Sequence, residues 1–427
     1  MTAVTAPPPM SLVRQYWRDR ALWMTIADVF AILAALALPW STSLVAIFVP
    51  CWLGAVAWVM DWRAYGRLLK QPICYLPFAL VGLALVGTLW SEAAWTARLY
   101  AVGPTLKLLV LPGLFYHFQR SSRGMWVFIA FLVSCALVMV MSWIVAYDPS
   151  LSLRPSQSDA RGVFVKNYID QSQEFALCAM ALIYPFMRLV RAEKFWPSLL
   201  LGLLVVCFID TMAFIVASRS AIVTMPIMLA AVTLVHMRRR TSLIIVGVMV
   251  ALVGLLWITT TDLRWGPKRL LKDYQLYKTE QRVTSIGLRL EFWQKSLRFI
   301  SEAPVIGHGT GSLRGLFERA ATGYTDQRDI ISNPHNQTLN VGVQWGMIGV
   351  FLLYAMWLVH LLLFRGEGLV AWIGLLVVVQ NIFTSLFNSH LFDFHEGWMY
   401  VLGVGVAGGM TLAARQRGLP AAPVIPR

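Results

Sequence analysis

The sequence predicts an all-α polytopic membrane protein: about twelve transmembrane helices and one long extramembrane segment carrying short amphipathic helices. Three observations lead there. Hydrophobic residues make up 58% of the 427 residues and charged ones only 13%, a balance foreign to soluble globular chains. Apolar runs long enough to cross about 30 Å of hydrocarbon recur along the chain. The cations alternate between connections, as they do when short basic loops stay on the cytoplasmic side.

Taken in order, the runs are Ala21 to Trp40, Ser43 to Met60, Tyr75 to Trp90, Leu99 to Phe118, Met125 to Tyr147 and Ile169 to Val190. They continue with Trp196 to Ala217, Ala221 to His236, Ser242 to Thr260, Leu339 to Phe364, Leu369 to Phe387 and Met399 to Ala414. Two are weak. Leu99 to Phe118 is interrupted by Pro104, Lys107 and Pro112, and Ala221 to His236 is short and carries Pro226. Three regions follow: N-terminal spans over 1–260, an extramembrane segment over 261–337 and C-terminal spans over 338–427. Basic connections at Arg63/Arg67/Lys70, Arg120/Arg123, Arg188/Arg191/Lys194, Arg238-Arg239-Arg240 and Arg365, with the tail Arg415 and Arg417, put both termini in the cytoplasm. The alternate connections then face outward: Ser91 to Arg98, Asp148 to Ile169, Ser218 to Ser220, Thr261 to Gln337 and Asn388 to Trp398.

Met1 to Arg20 lacks a small-residue cleavage site behind a short apolar core, so the first span is expected to serve as its own insertion signal. The net charge of +15 reports topology and anionic membrane lipid; no nucleic-acid motif accompanies it. The five cysteines all fall in or beside spans, which predicts neither disulfides nor a metal site. No internal repeat is evident, a point against a transporter built from inverted halves.

Polar groups gather on the expected outer face. Ser332-Asn333-Pro334-His335-Asn336 joins the long polar segment to the span from Leu339, which sets a titratable imidazole at the membrane edge. The neighbouring helix N-terminus favours a neutral ring able to accept a proton, and Asn336 or Asn333 is available as the cap. Ser218-Arg219-Ser220 holds a guanidinium in a tight turn beside a helix start, an arrangement suited to an anion. A helix from Leu288 to Ile300 is amphipathic, with Leu290, Trp293, Leu297 and Ile300 on one face and Arg289 near its start. The following Pro304 to Gly311 loop is rich enough in glycine to present backbone N–H groups to an anion or simply to turn. Lys166-Asn167-Tyr168 adds a cation on the same side. Asp393-x-His395-Glu396 is the one metal-like grouping, and its spacing matches no specific site.

In this order, Ser218-Arg219-Ser220, Gly287-x-Arg289 leading through Trp293 into Pro304-x-x-Gly307-x-Gly309, and His335-Asn336 before the next span resemble the bacterial O-antigen ligase and polymerase superfamily. The resemblance implies an inverting glycosyltransferase of the bacterial inner membrane with a periplasmic active site. It would move a glycan from an undecaprenyl diphosphate carrier to an acceptor sugar. The chemistry needs stabilisation of a diphosphate leaving group and a base for the attacking hydroxyl. Arg219 and Arg289 are expected on the diphosphate without metal or other cofactor, and His335 is expected as the base. Lys166, Asn167, Ser218, Ser220 and Asn336 are expected to assist in holding diphosphate or glycan. One dominant outer segment and a short tail resemble the ligases, whose acceptor is the lipid A core, more than the polymerases or the protein O-oligosaccharyltransferases. A lipid-linked sugar transporter or flippase would instead carry charges deep in its spans. Here those are few: Asp28, Lys107 and Asp210.

Overall fold

The computed structural model describes residues 19–153, 162–216, 219–237, 239–247, 285–321 and 331–418. Within them the protein is helical. The elements are α1 (Arg20–Ala37), α2 (Thr42–Val59), α3 (Trp62–Leu69), α4 (Pro72–Val86), α5 (Trp95–Leu106), α6 (Leu111–Phe118), α7 (Gly124–Tyr147) and α8 (Tyr168–Arg191). Then come α9 (Phe195–Asp210), α10 (Arg219–His236), α11 (Ser285–Glu302), α12 (Leu313–Ala320), α13 (Gln337–Leu363), α14 (Leu369–Thr384) and α15 (Phe394–Gln416). A 3₁₀ turn, Lys107–Val110, links α5 to α6, and a π turn, Thr211–Ile215, ends α9.

Eight helical stretches are long and apolar enough to span a bilayer, and α3 with α4 makes a ninth if that pair, bent by 79°, is one span. Val223–His236 and Leu369–Thr384 are shorter apolar helices. Eleven of the expected apolar runs therefore fall on helices among the described residues. The run Ser242 to Thr260 lies largely outside them, and the expected twelfth span with it. The weak Leu99 to Phe118 run is one broken helix, as its prolines require.

Bilayer lipid is as apolar as leucine, so helix pairing relies on close packing and buried polar links. Ala27, Ala31, Ala34 and Ala35 let α1 lie tightly against its neighbours. On α15, a Cβ at Gly405 or Gly408 would come within 2.5 Å of Leu114 or 2.3 Å of Phe115, so α6 reaches the α15 backbone.

The decisive departure from regular helix is in α13, which breaks at Gly346 (φ 60°). The 304–311 loop crosses that break. His308 N–H donates to Val343 O (2.9 Å) and Gly309 N–H to Gln344 O (2.8 Å), while Met347 N–H donates to Pro304 O (2.8 Å). Gly307 sits at φ +65°, and a Cβ there would lie 2.5 Å from the Gln344 carbonyl carbon; one at Gly346 would lie 2.3 Å from Val305 O. The glycines of this loop thus serve backbone-to-backbone contact. Their N–H groups are consumed: Thr310 N–H donates to Gly87 O (2.9 Å) and Gly311 N–H to Gln344 Oε1 (2.8 Å), so the anion cradle open to the sequence is not formed.

The amphipathic helix is present, with its buried face rotated from the one expected. Phe292, Ser296 and Phe299 are buried, whereas Leu290 and Leu297 are exposed, because α11 docks on α12 and the first half of α13 through its phenylalanines. Gly307→Ala should lower the melting temperature of the purified protein by the equivalent of about 2 kcal/mol or more, since it adds left-handed strain to a backbone clash. Ala303→Gly, just beyond the end of α11 and outside the crossing, adds neither clash nor left-handed strain and should cost clearly less in the same melt.

Candidate active site

Asn336 is the N-cap of α13: its Oδ1 accepts from Leu339 N–H (3.1 Å) and its amide donates to Leu386 O (3.0 Å). The residue before the cap lies outside the helix. His335 takes φ 52°, a left-handed backbone that non-glycine residues rarely adopt, and its N–H closes an Asx turn on Asn333 Oδ1 (3.0 Å). Strain of this kind persists only where neighbours fix it, and it gathers at working sites.

The neighbours come from the connection between α14 and α15. His335 Nδ1 lies 3.0 Å from Asn388 Oδ1, which also accepts from Asn333 Nδ2 (3.2 Å). Asn388 Nδ2 donates to Asp393 Oδ2 (2.7 Å), so the carboxylate fixes which way the amide points. An amide oxygen facing Nδ1 requires that Nδ1 carry the proton. Nε2 is then left with a lone pair.

Two further anchors hold this loop. The Lys107 ammonium donates to Phe392 O (3.1 Å) and to the Asp393 carbonyl, and Ser389 Oγ donates to Asn333 Oδ1 (2.7 Å). Lys107, one of the few mid-span charges in the sequence, is therefore a tether for the last loop.

Arg289 sits one turn before Trp293, on the same side of α11. Trp293 Nε1 donates to Pro334 O (3.2 Å), and Phe292 stacks 6.5 Å from the His335 ring. Arg289 is half-buried, and no hydrogen bond or ion pair is seen for it among the described residues. The start of α10 reaches the same end of the bundle. Its last residue, His236, packs 5.8 Å from Trp372 near the start of α14, so α10 and α14 run antiparallel and Arg219 falls at the Thr384 end. Ser218 lies outside the described residues, as do the side chains of Arg219 and Ser220.

Lys166 and Asn167 are at this end too, and both are engaged. The Lys166 ammonium is buried between Glu174 Oε1 (2.7 Å) and Leu38 O (2.5 Å), and Asn167 caps α8 by accepting from Ile169 and Asp170 N–H, each at 2.9 Å. The positive charge of Lys166 is already matched inside the protein. A buried ionic cluster continues from there: Asp170 meets His395 at 2.6 Å, and His390 Nδ1 lies 3.3 Å from Glu396 and 3.4 Å from Asp393.

His390, Asp393 and Glu396 place one potential ligand atom each within 4.8 Å of one another. Burial works against a charged imidazole here, but Glu396 and Asp393 outweigh it and raise His390 to about 10. With its ring protonated, His390 balances the two carboxylates, and the trio supports Asp393 as a charge-compensated knot.

Below this polar end, an apolar cavity of about 320 Å³ lies between spans, lined by Leu38, Phe128, Leu132, Leu177, Pro185 and Met399.

Residues 202–354 match the family model described as O-antigen ligase. The matched stretch, 202–354 of the 427 residues, is similar to the O-antigen ligase superfamily. The matched region contains His335, Asn336, Arg289 and the stretch Ser218 to Ser220, and the family it resembles consists of glycosyltransferase-like membrane enzymes. Asn388, Asp393 and Lys107 lie outside it. No curated protein matches the chain.

Because His390 gains affinity for its proton on folding, its stabilisation is complete below about pH 6.5 and is lost as the pH climbs towards about 10. The melting temperature should fall across that window, and His390→Gln should flatten the fall.

Proposed function

We propose that the protein is an O-antigen ligase that transfers a glycan from undecaprenyl diphosphate to a lipid A core sugar on the periplasmic side of the inner membrane, with inversion. The observation that carries this is the Asp393–Asn388–His335 chain at the end of the bundle where α10 begins and Arg289 lies. It supports a general base of defined tautomer beside a cationic diphosphate site.

In one displacement, the acceptor hydroxyl attacks the anomeric carbon of the donor glycan. The bond from that carbon to the diphosphate oxygen breaks as the new glycosidic bond forms. His335 Nε2 takes the hydroxyl proton, and Asn388 accepts from Nδ1–H, which stabilises the imidazolium formed. The leaving diphosphate gains charge in the transition state. Arg289 and Arg219 would meet it with forked guanidinium donors, in the role a metal ion plays elsewhere. Asn336 would hold the His335 backbone. Lys166, Asn167, Ser218 and Ser220 remain candidates for binding, Lys166 acting through the ion pair it shares with Glu174. The apolar cavity between the spans is suited to part of the isoprenoid tail, leaving the diphosphate at the polar end.

Reconstitution of the purified protein with carrier-linked glycan and lipid A core tests the assignment. His335→Ala should abolish transfer, and undiminished transfer would eliminate the base. Transfer solely between carrier molecules would make the protein a polymerase. Asn388→Ala should lower kcat about 10²-fold with little change in KM, because the tautomer is no longer enforced. Arg289→Lys should lower kcat/KM by at least about tenfold through loss of bidentate contact, while transfer by the parent protein persists in EDTA.

A further inference from the structure

A second cavity, this one polar and of about 210 Å³, opens between the connection that precedes α5, the 304–312 loop and α12, lined by Trp90, Glu92, His308, Ser312 and Arg319. None of these takes part in the mechanism above. Two polar groups in its lining are left without a hydrogen bond: the Trp90 indole N–H and the Ser312 hydroxyl, both buried at the atom. Ser312 as a residue is only 5% exposed. Buried polar groups are nearly always paired, so such a pair in the wall of a cavity points to a ligand that supplies the partners. His308 adds a third group. Its Nε2 faces Phe299 O at 2.8 Å and therefore carries the proton, which leaves Nδ1 as an acceptor.

At the rim, Arg319 pairs with Glu92 at 3.4 Å. The two charges cancel, so the cavity has no excess of cation to select a phosphate or a lipid headgroup. What it offers is a flat indole, one N–H donor, a hydroxyl, an imidazole acceptor and a paired carboxylate and guanidinium. That set suits a polyol with one apolar face, namely a pyranose ring stacked on Trp90 with its hydroxyls at Ser312, His308 and the rim pair. The volume lies below the ~300–1,000 Å³ of clefts for drug-sized ligands, in keeping with one sugar residue.

The position fits a glycan in transit. His335 packs beside Phe292 and His308 beside Phe299, on the same helix. Seven residues of α11 separate those phenylalanines, roughly 10 Å at 1.5 Å per residue, or about two sugar lengths.

We infer that this cavity is a carbohydrate subsite that holds one uncharged pyranose residue, about two sugars from the bond being made, in a glycan whose reacting end lies at His335. The location rests on the glycosyl-transfer function proposed above; the sugar-binding chemistry does not. The residue could belong to the acceptor or to the donor chain, and two probes separate them.

Saturation-transfer difference NMR on the full chain in nanodiscs would use core oligosaccharide freed from lipopolysaccharide by mild acid, and a free oligosaccharide of O-chain repeat units. At least one probe should bind the parent protein and His335→Ala equally. Its binding should weaken about tenfold in Trp90→Ala and less in Trp90→Phe, which keeps a stacking ring but loses the N–H. Glu92→Gln and Arg319→Gln, exposed at the rim and harmless to folding, should each weaken it severalfold. The probe that binds identifies the chain. Failure of both probes to bind the parent protein would overturn the subsite, as would equal binding by Trp90→Ala and the two rim variants. Persistent transfer by His335→Ala would instead overturn the base and leave the subsite standing.

Discussion

The crossing of the 304–311 loop with the break in α13 governs everything at the polar end of the molecule. A continuous α13 would carry its first nine residues along one axis. The interruption at Gly346 instead leaves Gln337 to Trp345 as a short arm, almost wholly buried and stitched to the loop on one side. On the other side, Gln337 N–H donates to Ser385 O at 2.8 Å. His335 stands at the tip of that arm. Its position is therefore decided by backbone hydrogen bonds and two glycines that admit no Cβ, a far stiffer support than side-chain packing alone would supply.

A second layer of control is electrostatic. The imidazole, amide, carboxylate, second imidazole and second carboxylate at positions 335, 388, 393, 390 and 396 are joined end to end. In a low-dielectric setting each member is costly alone and tolerable only when its neighbours complete it. Orientation at one end is thus coupled to charge at the other. Lys107 reinforces the coupling from a separate helix by holding the backbone of the loop that carries Asn388.

Much of this was legible in the sequence, and the remainder follows a pattern. Hydropathy located the spans because membrane crossing is a local property of about twenty residues. His335 and the N-cap Asn336 were legible for the same reason: capping acts over three residues. The Pro304 to Gly311 loop could be read as an anion cradle or as a plain turn, and only the partners of its N–H groups, supplied by α13 and Gly87, decide between them. Asn388 escaped notice because its meaning depends on a residue fifty-three positions away. Lys166 read as a free outer cation; Glu174, which neutralises it, looked like another polar residue at the start of a span. Trp90 and Ser312 carried no local signal at all, since an unpaired donor becomes visible only after every other group has found its partner.

The Lys107 tether has a consequence for how the protein is made. Spans enter the membrane in order of synthesis, and Lys107 enters early, long before Phe392 and Asp393 exist to receive it. Until then a buried ammonium waits unmatched, and the imidazole at 335 has no amide to orient it. The last connection closes both accounts at once. The arrangement around His335 comes into being only when the final helix hairpin is in place, so a stalled chain would sit in the bilayer without the amide and carboxylate that orient its ring.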